Sequence, residues 1–269
     1  MFCSSNTPSS DGAAQRSGTL PTDPSRLSIL LPTYNEKDNI LELITRIKQA
    51  LPREKEILVI DDNSPDGTAA AVRARYGKDP GVRVIVRRNE RGLASAVARG
   101  IREAGGGIIV WMDTDLSMAP ESVPALLEPV DSGEADAAVG SRYVPGGADI
   151  RIRSGQPMLY LHTLLSVLIT RFTSLLLWPA FKDWTSGFIA VRAEAVKPLA
   201  IRGDYGEYFI DLMYRLHKRG CRIKEVPYTL SARERGQSKT APNVLGFITR
   251  GVKYIATVFA LRFGLHRSK

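Results

Sequence analysis

Four short apolar runs shape the first half of this chain, and three of them end in polar or acidic residues. The runs are Leu27-Ser28-Ile29-Leu30-Leu31, Ile57-Leu58-Val59-Ile60, Val82-Arg83-Val84-Ile85-Val86 and Gly107-Ile108-Ile109-Val110-Trp111-Met112. Short continuous apolar runs of this kind read as buried strands. Segments of helical spacing lie between them. Ile40, Leu43, Ile44 and Ile47 mark one, and a stretch ending near Ala104 marks another. Strands alternating with helices imply right-handed βαβ units and therefore a mostly parallel sheet flanked by helices, an α/β fold. Pro32-Thr33-Tyr34-Asn35-Glu36 follows the first run, Asp61-Asp62 the second and Asp113-Thr114-Asp115 the fourth. Such residues gather at the carboxyl edge of the sheet, where open α/β sheets bind ligands.

Asp113 and Asp115 carry the strongest chemical signal. Two hard carboxylates at a strand end suit Mg2+ or Mn2+, since such an ion keeps further positions for phosphate and water oxygens. An Asp-rich turn explains the same residues when they stand alone. Asp61 and Asp62 are expected to accept hydrogen bonds from a nucleobase. Helix capping by a turn is the competing reading for this pair. Tyr34 suits packing on a base or ribose, and Glu36 suits a ribose hydroxyl.

Pro32-Thr33-Tyr34-Asn35-Glu36, Asp61-Asp62-x-Ser64-x-Asp66, Arg91-Gly92-Leu93-x-Ser95-Ala96 and Asp113-x-Asp115-x-Ser117 occur in that order. Gly140-Ser141-Arg142-Tyr143, Asp183-x-x-Ser186-Gly187-Phe188 and Glu225-Val226-Pro227 leading to Arg233-x-x-Gly236-x-Ser238-Lys239 follow. Together they resemble the family 2 glycosyltransferases of the GT-A fold, with its Rossmann-like sheet. Within that family the chain is most similar to the dolichol-phosphate and polyprenyl-phosphate mannosyltransferases. The resemblance covers residues 27 to 240. It implies a nucleotide-sugar donor held by Pro32, Tyr34, Glu36, Asp61, Asp62, Asp113, Thr114 and Asp115. It also implies a metal on Asp113 and Asp115, and an acceptor phosphate clamped by Arg142, Arg233 and Lys239. Mannose from GDP-mannose is the leading sugar, with UDP-glucose, another UDP-sugar or a non-lipid acceptor as alternatives. Relatives carry an arginine at the start of the interfacial helix where this chain has Gln156, with Arg151 and Arg153 just upstream.

Other classes fit less well. A processive polysaccharide synthase would carry Gln-x-x-Arg-Trp, and Trp111, Trp178 and Trp184 stand in no such context. A nucleotidyltransferase would carry a Gly-rich phosphate loop after the first strand. A non-catalytic nucleotide-binding, membrane-associated protein is the alternative from a different class. The formal net charge of +9 requires an anionic partner. Nucleic acid is not expected, since no recognisable nucleic-acid-binding signature is present. No cluster among His162, His217 and His266 resembles a zinc site.

Residues 1–25 are rich in Ser, Thr, Pro and Gly and read as a flexible tail without the apolar core of a secretory signal. Residues 26–240 read as the catalytic domain and 241–269 as a C-terminal amphipathic helix. Residues 157–181 are apolar but interrupted by Arg171, with His162, Ser166, Thr170 and Thr173 at helical spacing. A spanning helix needs about 20 apolar residues with few charges. This stretch is therefore expected to be one amphipathic helix, or two broken ones, in the membrane interface with Trp178 as anchor. In the second stretch Val244, Leu245, Ile248, Val252, Ile255 and Phe259 share one face, and Arg250, Lys253 and Thr257 another. Packing of both stretches on the sheet as core helices is the competing reading. The two cysteines, Cys3 and Cys221, suit a reducing compartment. The expectation is peripheral attachment to the cytoplasmic face of a membrane, alone or with an anchoring partner subunit.

Overall fold

The apolar runs are strands, and the sequence between them is helical. The computed structural model describes residues 23–151, 157–233, 235 and 244–265. Its first half runs β1 (Asp23–Thr33), α1 (Lys37–Ala50), β2 (Lys55–Asp61), α2 (Thr68–Tyr76), β3 (Val82–Val86), α3 (Leu93–Glu103) and β4 (Gly106–Trp111). Then follow α4 (Val123–Asp131), β5 (Ala137–Ser141), β6 (Ala148–Asp149), α5 (Pro157–Leu176), β7 (Ile189–Arg192) and α6 (Ala193–Val196). The chain continues through α7 (Glu207–Lys218), β8 (Ile223–Pro227), β9 (Thr229–Leu230) and α8 (Val244–Arg262).

Seven strands form one sheet in the order β3-β2-β1-β4-β7-β5-β8. β1 pairs parallel with both β2 and β4, and β2 with β3. β7 lies antiparallel between β4 and β5, and β8 returns parallel to β5. The sheet is thus mostly parallel, with one reversed strand that sequence spacing did not single out. β6 and β9 form a separate two-stranded ladder.

Helices cover both faces. Leu27, Ile29 and Leu31 of β1 point into one core with Ile40, Leu43, Ile44 and Ile47 of α1. Leu30 points the other way, into a core with α3 and α7. A strand buried on both faces reads as a continuous apolar run, which is why β1 shows no alternation. Each such Leu or Ile contributes about 1.5–3 kcal/mol on burial. α8 joins the second core through Val258 and Leu261, so the C-terminal helix packs on the sheet domain and is not a separate appendage. Of the expected tail, residues 1–25, the first 22 lie outside the described residues, and the last three are not tail but the start of β1, which opens at Asp23.

Candidate active site

β1, β2 and β4 are adjacent and parallel, so the residues that follow them meet at one edge. The resulting cleft is lined by Tyr34, Glu36, Asp62, Arg91, Thr114, Asp115 and Arg233, with Asp113 at its inner end. The Arg91 guanidinium carbon lies 5.1 Å from the centre of the Tyr34 ring, a cation–π contact across the mouth of the cleft.

The Asp-x-Asp turn is built around an unusual residue. Leu116 is buried and has φ +64°, a left-handed conformation that branched side chains rarely adopt. Such strain persists at ligand sites when the surroundings impose it. Here Asp115 Oδ1 accepts from the Ser117 N–H at 3.1 Å and from its hydroxyl at 2.6 Å, which fixes that carboxylate. Its Oδ2 stands 3.3 Å from Arg233 Nη2. Asp113 is open to the cleft, yet the density of protein around it, then the neighbouring Asp115, push its carboxyl up to about 7, while Arg233 and Arg151 work against that rise. Two crowded carboxylates of this kind are relieved by a cation. No group of three or more His, Cys, Asp or Glu side chains is arranged for a metal among the described residues. Two carboxylates and open coordination positions therefore fit Mg2+ or Mn2+ shared with a diphosphate, and do not fit a closed protein cage.

Several expected site residues are placed differently from the sequence reading. Asp61 does not line the cleft: its carboxylate accepts from the Ser64 N–H at 3.0 Å and from the Ser64 hydroxyl, closing the turn after β2. Its contacts fit the turn reading, not the base. Asp62 lines the cleft but is held by Arg87, whose Nε donates to Oδ1 at 2.7 Å, and by the Gly92 N–H at 2.8 Å to Oδ2. Arg87 also donates to Ser95 Oγ at 2.8 Å and to the Gly92 carbonyl at 3.0 Å. Gly92 has φ +115°, open to glycine, which lets the turn fold back on Asp62. Arg87 escaped the sequence reading; its only sequence signal is its place directly after β3, at the edge where the other site residues gather.

Arg233 lies in the donor-side cleft, not beside Arg142. Its Nη1 donates to both Glu36 oxygens, at 2.9 and 3.0 Å. Of the expected acceptor clamp, Arg233 and Arg142 line different cavities. Arg142 is buried in a second cavity and is already bound by acids: Nε and Nη2 donate to Asp183 at 2.8 and 2.6 Å, Nη2 donates to Thr185, and Asp149 lies 3.6 Å from Nη1. Asp183 keeps that guanidinium charged although burial opposes it. A phosphate that reached Arg142 would compete with two carboxylates. Asp183 had been recognised only as part of a motif, without a role. Lys239, Arg153 and Gln156 lie outside the described residues.

The second cavity adjoins the cleft and is mainly apolar. Trp111, Met112, Met118, Leu165, Ile169 and Phe209 line it, with Arg142 and Arg151 as its cations and Tyr254 of α8 in its wall. Arg151 donates through Nε and Nη2 to Asp149 at 2.9 and 2.6 Å. An apolar chamber bearing two arginines thus adjoins a cleft lined by carboxylates, which gives the site room for an apolar group and for anionic ones side by side.

A sequence model of glycosyl transferase family 2 matches residues 28–199. The chain belongs to that family. Dolichol-phosphate mannosyltransferase of Pyrococcus furiosus is 37% identical over 215 residues, which is 80% of this chain and 59% of that protein. This family 2 glycosyltransferase therefore spans somewhat over half the length of that relative. Undecaprenyl-phosphate mannosyltransferase of Micrococcus luteus is 35% identical over 227 residues, covering 82% of this chain and 90% of that protein. Among solved structures, glucosyl-3-phosphoglycerate synthase from Mycobacterium tuberculosis, in complex with Mn2+, uridine diphosphate and glucosyl-3-phosphoglycerate, shares the fold. Its TM-score is 0.69 at 22% identity, over 91% of this chain and 82% of that one.

The helices that wall the transferase's second cavity turn apolar faces outward. α5 is one unbroken helix. It buries Thr163, Thr170, Thr173 and Ser174 and exposes Leu161, Leu164, Leu168 and Leu175, the last to 76%. α8 exposes Val252, to 60%, with Ile255 and Phe259. The side chains of Val244, Leu245, Ile248 and Arg250 lie outside the described residues. Phe172 and Phe259 meet edge to face at 5.9 Å and join the two helices. Trp178 does not act as an outward anchor: it stacks on His217 at 4.0 Å and on Phe181 at 5.4 Å. Among the described residues no helix is long and apolar enough to cross a membrane.

Proposed function

We propose that this chain transfers a hexose, mannose foremost, from a nucleoside diphosphate sugar to a polyprenyl phosphate at a membrane surface, inverting the anomeric centre. One observation carries the reading: the acidic cleft and the apolar, arginine-bearing cavity meet at Asp113, and the cavity is walled by two helices whose outer faces are apolar. The printed activities of the Pyrococcus and Micrococcus relatives support it.

Tyr34, Arg91 and Asp62 frame the base end of the cleft. Asp113 and Asp115 would hold the divalent cation, and when bound it neutralises the charge that grows on the departing diphosphate. Arg233, already beside Asp115, adds a second positive charge at that point. An acceptor phosphate oxygen attacks the anomeric carbon and forms the new C–O bond. The bond from that carbon to the diphosphate oxygen breaks, and its electron pair leaves with the nucleoside diphosphate. The attacking phosphate is already anionic, so no general base is required, only alignment. An α-linked donor then yields a β-linked lipid phosphosugar. Exposed leucines on α5 and the apolar side of α8 would seat the protein in the interface, on the cytoplasmic face, with the acceptor entering between them.

The test supplies GDP-mannose labelled in the sugar, together with polyprenyl phosphate or free polyprenol in vesicles. Label is expected in the lipid phase with the phosphate and not with the alcohol, and Asp115→Asn is expected to abolish transfer at saturating metal. Equal labelling of the free alcohol would refute the mechanism, since a neutral hydroxyl needs a base.

A further inference from the structure

Four residues line both the cleft and the apolar cavity: Pro32, Leu93, Asp113 and Tyr205. A sugar passing from donor to acceptor must occupy their junction. Pro32 and Leu93 offer no polar atoms from their side chains, and Asp113 faces the metal position. Tyr205 is the side chain there that combines a flat ring, able to pack on a hexose face, with a hydroxyl.

Tyr205 belongs to the segment 203–206, which hangs from α8. Lys253 Nζ donates to Asp204 Oδ2 at 2.6 Å. Tyr254 lies so close to Gly206 that a Cβ there would stand 1.9 Å from its hydroxyl oxygen, so any side chain at 206 would have to displace Tyr254. On the opposite side the Asp204 carbonyl faces Gly92, where a Cβ would lie 3.4 Å away. The segment is therefore held between the donor-side turn and the helix that presents Val252 and Ile255 outward. Both members of the Lys253–Asp204 pair are largely exposed. In water such a pair contributes little. At a membrane interface the local dielectric falls and the same pair strengthens.

We propose that Tyr205 is a specificity-determining residue that grips the transferred hexose, and that Lys253 is a positioning residue coupling that grip to docking of α8 on a membrane. The coupling rests on the lipid-phosphate reading above; the hexose contact needs only a nucleotide-sugar donor. By reciprocity, a bound hexose also strengthens vesicle binding.

Calorimetry on the full chain tests both parts. The quantity read is the ratio of the GDP and GDP-mannose dissociation constants, with and without vesicles of phosphatidylcholine and phosphatidylglycerol; UDP and UDP-glucose are run in parallel. Tyr205→Ala is expected to lower the ratio about tenfold, the equivalent of one well-made contact, while affinity for the diphosphate alone changes by less than about twofold. Tyr205→Phe separates ring from hydroxyl, and lies between wild type and Tyr205→Ala. In wild type, vesicles raise the ratio. Lys253→Met keeps the lipid-free ratio and loses the vesicle increment. An unchanged ratio in Tyr205→Ala for both donors overturns the hexose contact. A vesicle increment missing from wild type, or persisting in Lys253→Met, overturns the coupling. A wild type that binds GDP-mannose yet labels no polyprenyl phosphate defeats the proposed acceptor, and the ratios still decide the hexose contact.

Discussion

Arg87 and Arg142 are both buried cations held by buried carboxylates, and each organises one half of the site. Arg87 secures Asp62, the Gly92 turn and Ser95 at once. Removing one partner of a buried pair costs about 3–5 kcal/mol, because the other charge is left without compensation. Arg87→Ala is therefore expected to lower the denaturation midpoint markedly and to weaken nucleotide binding in what remains folded. Chemical denaturation and GDP titration check this; a midpoint close to wild type would show that solvent reaches Asp62 and replaces the arginine. The place of Asp113 and Asp115 in the cleft was legible in the sequence, since carboxylates that end an apolar run fall at the carboxyl edge of a parallel sheet. The sequence left Arg87 unread because Arg87-Arg88-Asn89-Glu90 looks like a solvated turn, and only burial shows that the first arginine points inward. The left-handed backbone at Leu116 has no sequence signal, because leucine is among the residues that normally avoid it.

At the scale of single elements, α5 and α8 show how far periodicity reaches. A helical repeat separates two faces but does not say which one meets the protein. In α5 the threonines face inward beside Ile169, Phe172 and Leu176, while Leu161, Leu164, Leu168 and Leu175 face outward, so the helix is apolar on its solvent side as well. Thr173 satisfies its hydroxyl by donating to the Ile169 carbonyl at 2.7 Å, and Ser174 donates to the Phe181 carbonyl at 2.7 Å, whereas the buried Thr170 hydroxyl finds no partner among the described residues. A combined Leu168→Glu, Val252→Glu variant is expected to lose sedimentation with anionic vesicles. Its stability should change by no more than about 0.5 kcal/mol per site, as for exposed positions without special contacts. Retained sedimentation would assign membrane attachment to another surface. The strands were the more readable elements. β1 to β4 fall close to the apolar runs, whereas β7 is only four residues long and its pairing is fixed by neighbours distant in sequence.

For the whole molecule, the sheet divides into a first half, β3-β2-β1-β4, made from consecutive sequence and carrying the acidic cleft, and a later half, β7-β5-β8, beside the apolar cavity. Both cavities meet where these halves join, beside β4. β7 makes that junction, with Trp111 paired to Ile189 and Ile108 to Arg192. During synthesis from the N-terminus, β4 is finished long before its neighbour leaves the ribosome. Until residues 189–192 emerge, one side of a fully buried central strand is an open edge, and open apolar edges template mispairing between chains. A chain ended just before Ile189 should consequently form β-rich aggregates in cell-free translation, whereas one that extends through α6 should stay dispersed. Sedimentation of the two nascent products would show the difference, and equal solubility would mean that another segment shields β4. The reversed strand is thus also a point of exposure in the life of the chain: its late arrival sets a window in which a chaperone has an edge to guard.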